Sequence, residues 1–119
     1  MNSHILIAGL GGFIGTVIRA SISESFPIRQ PFWITMSINI LGSLILGLCI
    51  GYLESNPADA KWKAFLTMGI CGGFTTFSAF SMENVQLLRN GEIIPAIIYI
   101  GSSVLFGITA AWFGYKLTL

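Results

Sequence analysis

The sequence predicts an all-α membrane protein: a single domain over residues 1–119 with four spanning helices. The third helix is expected to break near mid-membrane, and the chain to assemble as an antiparallel, dual-topology homodimer. Three observations lead there. Only 9% of the 119 residues are charged and 54% are hydrophobic, whereas an average soluble domain carries about 25% charged residues. The apolar residues fall into four long runs separated by short turn-forming segments. Basic residues divide almost evenly between the two ends of those runs. This composition excludes a disordered chain and argues against a soluble one. A net charge of +1 offers no basis for nucleic-acid binding.

A spanning helix needs about 20 mostly apolar residues. Ile5 to Ile18 is uncharged; Arg19 follows, and Ala20 to Ser23 continues the run. With Arg19 snorkelling toward an interface, residues 4–25 reach across. Trp33 to Leu53 and Ala64 to Met82 carry no charge, and neither does Ile93 to Tyr115. These runs give the remaining spans at about 33–53, 62–88 and 94–116. Pro27–Pro31 and Ser55–Asp59 read as proline-containing turns, and Gly91 within Arg89–Glu92 as a helix stop. Trp33, Tyr52, Trp62 and Trp112 stand near span ends, where interfacial aromatic residues belong. Met1–His4 lacks the basic region of a signal peptide, so the first run is read as a span.

Four spans put both termini on one side. That side receives Lys61, Lys63 and Lys116; the other receives Arg29 and Arg89, with Arg19 if it snorkels that way. Topology follows a bias in Lys and Arg, and here the bias is nearly nil. Such a chain can insert both ways, and opposite copies can pair about a twofold axis in the membrane plane.

All of the fourteen glycines except Gly91 lie in or at the edge of spans. Gly11 and Gly15, Gly47 and Gly51, and Gly69 and Gly73 are spaced to let helix backbones approach closely. His4 to Gly15 superficially resembles a strand entering a dinucleotide-binding glycine loop. The third glycine comes one residue late, no acidic residue follows at the required distance, and strands do not alternate with helices. Cys49 and Cys71 sit in apolar runs without CxxC spacing, so neither a disulfide framework nor a zinc site is suggested.

The chemistry concentrates in Gly72-Gly73-Phe74-Thr75-Thr76-Phe77-Ser78-Ala79-Phe80-Ser81. Paired glycines weaken a helix by about 1 kcal/mol each relative to alanine, and two β-branched residues follow. A break is expected at the glycines. In lipid it is tolerated only where the freed backbone groups are buried in protein or line a wet cavity. Phe77 and Phe80 share a helix face, and their positive ring edges can meet an anion without a charged ligand. The same spacing also suits ordinary aromatic packing. Asn39, deep in the second span, can donate to an anion or bond helices together. Tyr99 and Ser103 form a short polar stripe on the fourth span. Glu24, Glu54 and Glu83 approach span ends, so a mid-membrane carboxylate relay is not expected.

These residues resemble the Fluc (CrcB) family of fluoride channels. The resemblance is carried by Gly11–Gly15 with Arg19, by Asn39-Ile40-Leu41-Gly42-Ser43, and above all by Gly69–Ser81 with Glu83. It covers all four spans in order. It implies a dual-topology homodimer with two narrow fluoride pathways built from both subunits. Phe77 and Phe80 match the aromatic pair lining the pathway, Asn39 the polar residue beside it, and Tyr99 and Ser103 the polar track of the fourth helix. That track is shortened here, because Gly107 and Ala110 carry no hydroxyl. Arg19 matches a vestibule arginine. Gly72 and Thr75 match residues whose carbonyls bind a structural sodium ion at the dimer interface.

The expectation is passive, fluoride-selective export across a bacterial plasma membrane, with no enzyme chemistry and with the bilayer, fluoride and a second copy as partners. Two other readings are a small four-helix multidrug exporter and a non-conducting assembly subunit. The exporter needs a carboxylate in the first span, which has none at its centre. The assembly subunit would use the glycines and polar residues only to hold helices together.

Overall fold

The computed structural model describes residues 3–25, 32–57 and 60–119. The turn expected at Pro27–Pro31, with Arg29, lies outside these residues, as do Ala58 and Asp59 of the second turn. Every described element is helical. Helix α1 runs Ser3–Ser25 and α2 Phe32–Ser55. The third span begins as α3, Ala60–Lys63, and widens into a π-helix over Ala64–Cys71. It returns to α-helix in α4, Gly72–Phe74, and resumes after two residues as α5, Phe77–Arg89. Helix α6 is Ile93–Thr118. Four stretches of 23, 24, 30 and 26 residues are long and apolar enough to cross a bilayer.

The spans pack in two intimate pairs, α1 with the first half of the third span and α2 with α6. Both pairings are backbone against backbone. A Cβ on Gly11 would stand 2.5 Å from the Phe65 carbonyl oxygen, and one on Gly69 2.7 Å from that of Ala8. Across the second pair, a Cβ on Gly114 would stand 2.5 Å from the Leu44 carbonyl oxygen, and one on Gly47 would collide with Ala111. Lipid gives no hydrophobic drive between helices, so close van der Waals contact through small residues holds such pairs.

The turn into α6 is a Schellman motif. Glu92 N–H donates to Leu87 O at 2.8 Å and Gly91 N–H to Leu88 O at 3.1 Å. Gly91 takes φ 76°, the only positive φ among the described residues, and supplies the left-handed residue this cap requires.

Residues 72–74 correct one expectation. Gly72 has φ −64° and ψ −38° and is helical. The extended residues are Thr75, with φ −84° and ψ 155°, and Thr76, with φ −146° and ψ 114°. Close approach explains Gly73, where a Cβ would stand 2.9 Å from Gly12 Cα, whereas a Cβ on Gly72 would meet nothing nearer than Thr67 O at 3.9 Å. The task of Gly73 is contact with α1, and the β-branched threonines accept the extended backbone they favour.

Candidate functional site

Two extended residues inside a membrane-spanning stretch release backbone groups that must find partners. The structure supplies partners for several of them. Thr76 N–H donates to Asn39 Oδ1 at 2.8 Å, and Asn39 Nδ2 donates to Thr76 O at 3.0 Å. The side-chain amide thus replaces a missing turn of backbone, and its two opposed partners fix its orientation. One Nδ2 hydrogen is left over. Thr76 Oγ1 caps α5 by accepting from Ala79 N–H at 3.2 Å. The Gly73 carbonyl accepts from Arg19 Nε at 3.2 Å, with Thr16 Oγ1 at 3.5 Å. Arg19 therefore serves the end of α4 from the neighbouring helix.

The carbonyls of Gly72, Gly73, Phe74 and Thr75 lose their regular helical donors at the break, and that of Gly73 is served by Arg19. In an unbroken α-helix the Gly72 carbonyl would accept from Thr76 N–H and the Thr75 carbonyl from Ala79 N–H. Those N–H groups donate instead to Asn39 and to the Thr76 hydroxyl. Gly72 and Thr75 are the residues whose carbonyls the family resemblance assigns to sodium, and carbonyl oxygen is a fitting ligand for a hard cation. The donor set suits the ion.

The extended residues open onto a cleft of about 330 Å³ between α2, the third span and α6. Asn39, Gly72, Thr75, Phe77, Phe80 and Ser103 all line it, and none of its lining residues carries a charge. The Phe77 and Phe80 ring centroids lie 5.7 Å apart at 39°. Phe77 is 78% exposed, an open aromatic flank on the cleft. Two assigned residues lie outside the lining. Arg19 is at Gly73, as described. Tyr99 is only 2% exposed and stands behind Phe80, ring edge to face, with centroids 5.0 Å apart.

Behind the cleft is a network that the sequence analysis did not resolve. Glu83 accepts from Tyr99 Oη at 2.6 Å and from Thr35 Oγ1 at 2.7 Å. Glu83 lies inside the third span and joins it to α2 and α6. Thr35 precedes Asn39 by one helical turn, so the α2 face bearing Asn39 was the signal that could have found it. Asn84, the next residue, donates through Nδ2 to Phe80 O at 2.9 Å.

Together these features define a multi-pass membrane protein whose helices enclose a neutral, aromatic-flanked polar cleft. The sequence matches the family described as CrcB-like protein, Camphor Resistance (CrcB), over residues 6–115, and the chain belongs to that family. It is similar to the fluoride-specific ion channel FluC of Flavobacterium psychrophilum, with 42% identity over 92% of each chain. The protein of the same name from Hyphomonas neptunium is 42% identical over 96% of this chain and 93% of its own length. The one from Thermus thermophilus is 34% identical over 98% and 95%.

Proposed function

We propose that this protein is a fluoride channel of a bacterial plasma membrane, exporting cytoplasmic fluoride passively and so limiting its toxicity. The observation that carries the reading is the cleft itself. It joins the Phe77–Phe80 pair, of which Phe77 is exposed, to uncharged hydrogen-bond donors and has no cationic side chain in its wall. Conduction requires binding strong enough to admit an ion and weak enough to release it. Ring edges and neutral donors meet that requirement for a small, strongly hydrated anion; a buried lysine or arginine would hold it. The names borne by the similar bacterial proteins agree. Hydrogen fluoride enters as a neutral weak acid and dissociates in a neutral cytoplasm. The inside-negative potential, about 2.3 kcal/mol per charge per 100 mV, then drives the anion out.

The working unit is an antiparallel homodimer with two pathways, each taking residues from both copies. Support comes from the even charge division and from the exposure of Phe77 and Gly72, which a second copy would cover. The third span acts as a broken helix at Thr75–Thr76. Gly72 and Thr75 of both copies hold a structural sodium ion, whose charge would favour an anion nearby. Asn39, Phe77, Phe80 and Ser103 line the pathway, Tyr99 orients Phe80 from behind, and Arg19 stands toward the vestibule.

Fluoride efflux from liposomes loaded with the purified protein, with chloride-loaded liposomes as control, tests the reading. Fast fluoride release without chloride release is expected. Release of neither ion, or of both equally, refutes it.

A further inference from the structure

The cleft is lined by five residues with hydroxyl groups: Ser43, Thr67, Thr75, Thr76 and Ser103. A hydroxyl that already donates to a backbone carbonyl has no proton to offer an anion. Thr67 Oγ1 donates to Lys63 O at 2.6 Å, and Thr75 Oγ1 to Cys71 O at 3.0 Å. Thr76 Oγ1 caps α5 and sits 3.3 Å from Ser78 Oγ. The Ser103 hydroxyl is buried and has no partner among the described residues. Ser43 likewise engages none of the hydrogen bonds found among them, although other serines in the first two spans turn back on their own helix. Ser21 donates to Val17 O, Ser25 to Ser21 O and Ser37 to Trp33 O. Two hydroxyls therefore stand on the cleft with no hydrogen-bond partner among the described residues, Ser103 on α6 and Ser43 on α2.

Their positions are complementary. The polar stripe of α6 runs through Tyr99 and Ser103 and would continue one turn later at position 107, where glycine supplies no side chain. The nearest neighbour of a Cβ placed on Gly107 is Ser43 Oγ, at 3.8 Å. The hydroxyl missing from α6 is thus faced by one on α2, in the same cleft.

We infer that Ser43 is an anion-coordinating residue of this channel, and that the polar lining crosses from α6 to α2 between Ser103 and Gly107. The inference rests on the channel reading above. The absent side chain at Gly107 opens the space, and the unengaged O–H of Ser43 supplies the donor for a dehydrating anion.

The test measures fluoride efflux from liposomes for four proteins: the parent, Ser43→Ala, Ser43→Thr, and the double variant Ser43→Ala with Gly107→Ser. Ser43→Ala should slow efflux by about fivefold or more, and Ser43→Thr should stay within about twofold of the parent. The double variant should recover at least half the parent rate, because the hydroxyl introduced by Gly107→Ser enters the same space. If Ser43→Ala also lowers thermal stability, recovery of flux in the double variant identifies the hydroxyl, and not packing, as the cause. Parent-like flux in Ser43→Ala overturns the inference and leaves the channel reading standing, as does a slow double variant. A parent that releases no fluoride overturns the channel reading and the inference together.

Discussion

The α1 contact and the α2 contact of the third span solve opposite problems a few residues apart. Along α1, backbone meets backbone: Gly11 and Gly15 abut Gly69, Ile70 and Gly73, and each helix bonds its own peptide groups as far as the Gly73 carbonyl, which Arg19 and Thr16 of α1 serve. Along α2, at Thr75–Thr76, the helix gives up that self-sufficiency and borrows a side chain. Asn39 replaces the lost partners of Thr76, at 2.8 and 3.0 Å. The first region is closed and offers nothing to a ligand. The second leaves an amide hydrogen, carbonyls without their helical donors, and a cleft. The cleft sits where regular secondary structure has been surrendered and the cost made good from a neighbouring helix.

The largest effect should follow from filling the closed region. Gly73→Leu places a side chain into Gly12 backbone atoms that cannot yield. It should abolish recovery of monodisperse protein on size-exclusion chromatography; a well-behaved variant would mean the α1 contact is looser than described. By contrast, Gly9 has open space within 4 Å, so Gly9→Ala should leave thermal stability within about 0.5 kcal/mol of the parent.

Next comes the borrowed side chain. Asn39→Leu leaves both Thr76 backbone groups unpartnered, at about 1–3 kcal/mol each. Melting temperature should fall by several degrees and fluoride flux by about tenfold or more, equivalent to about 1.4 kcal/mol or more on the barrier. Asn39→Asp keeps the acceptor for Thr76 N–H but loses the donor to Thr76 O, so its melting temperature should lie between those of the parent and Asn39→Leu. Equal melting of all three would show that the amide does not hold the extended stretch.

The aromatic pair should respond in flux alone. Phe77→Ile and Phe80→Ile remove the ring edges but keep apolar bulk, and should each reduce fluoride flux about tenfold while assembly is retained. Parent-like conduction by both would reduce the rings to packing. Tyr99→Phe deletes one hydrogen bond to the Glu83 carboxylate, a loss of about 1.5–3 kcal/mol, and should appear first as a lowered melting temperature.

How much of this was legible in the sequence depended on whether a feature is carried by side chains. Apolar runs gave four spans because hydropathy is a side-chain property, and Gly91 was legible because the cap it forms requires left-handed backbone. The extended residues fell at Thr75–Thr76, beyond the glycine pair expected to break. Gly73 is ambiguous in sequence, since weak helix propensity and close packing call for the same residue, and here packing decided. The pairing of Asn39 with Thr76 was not legible, because its partner is a peptide group with no residue signature. Tyr99 was read as lining and stands behind Phe80. Its place follows from the bond to Glu83, a contact between residues 16 positions apart that helical spacing within one span cannot reveal.

The Asn39–Thr76 pairing also bears on how the chain is made. The side chains that satisfy the extended stretch, Asn39 from α2 and Arg19 from α1, both precede it in sequence. During synthesis they reach the bilayer first. When the third span follows, its unpaired peptide groups meet partners already in place, and the interval in which they lie bare in lipid is short. Reversing that order by circular permutation, with α1 and α2 translated after α6, should lower insertion yield even though every contact in the finished protein is available. The order of the helices along the chain is thus part of what makes an irregular segment tolerable inside a membrane.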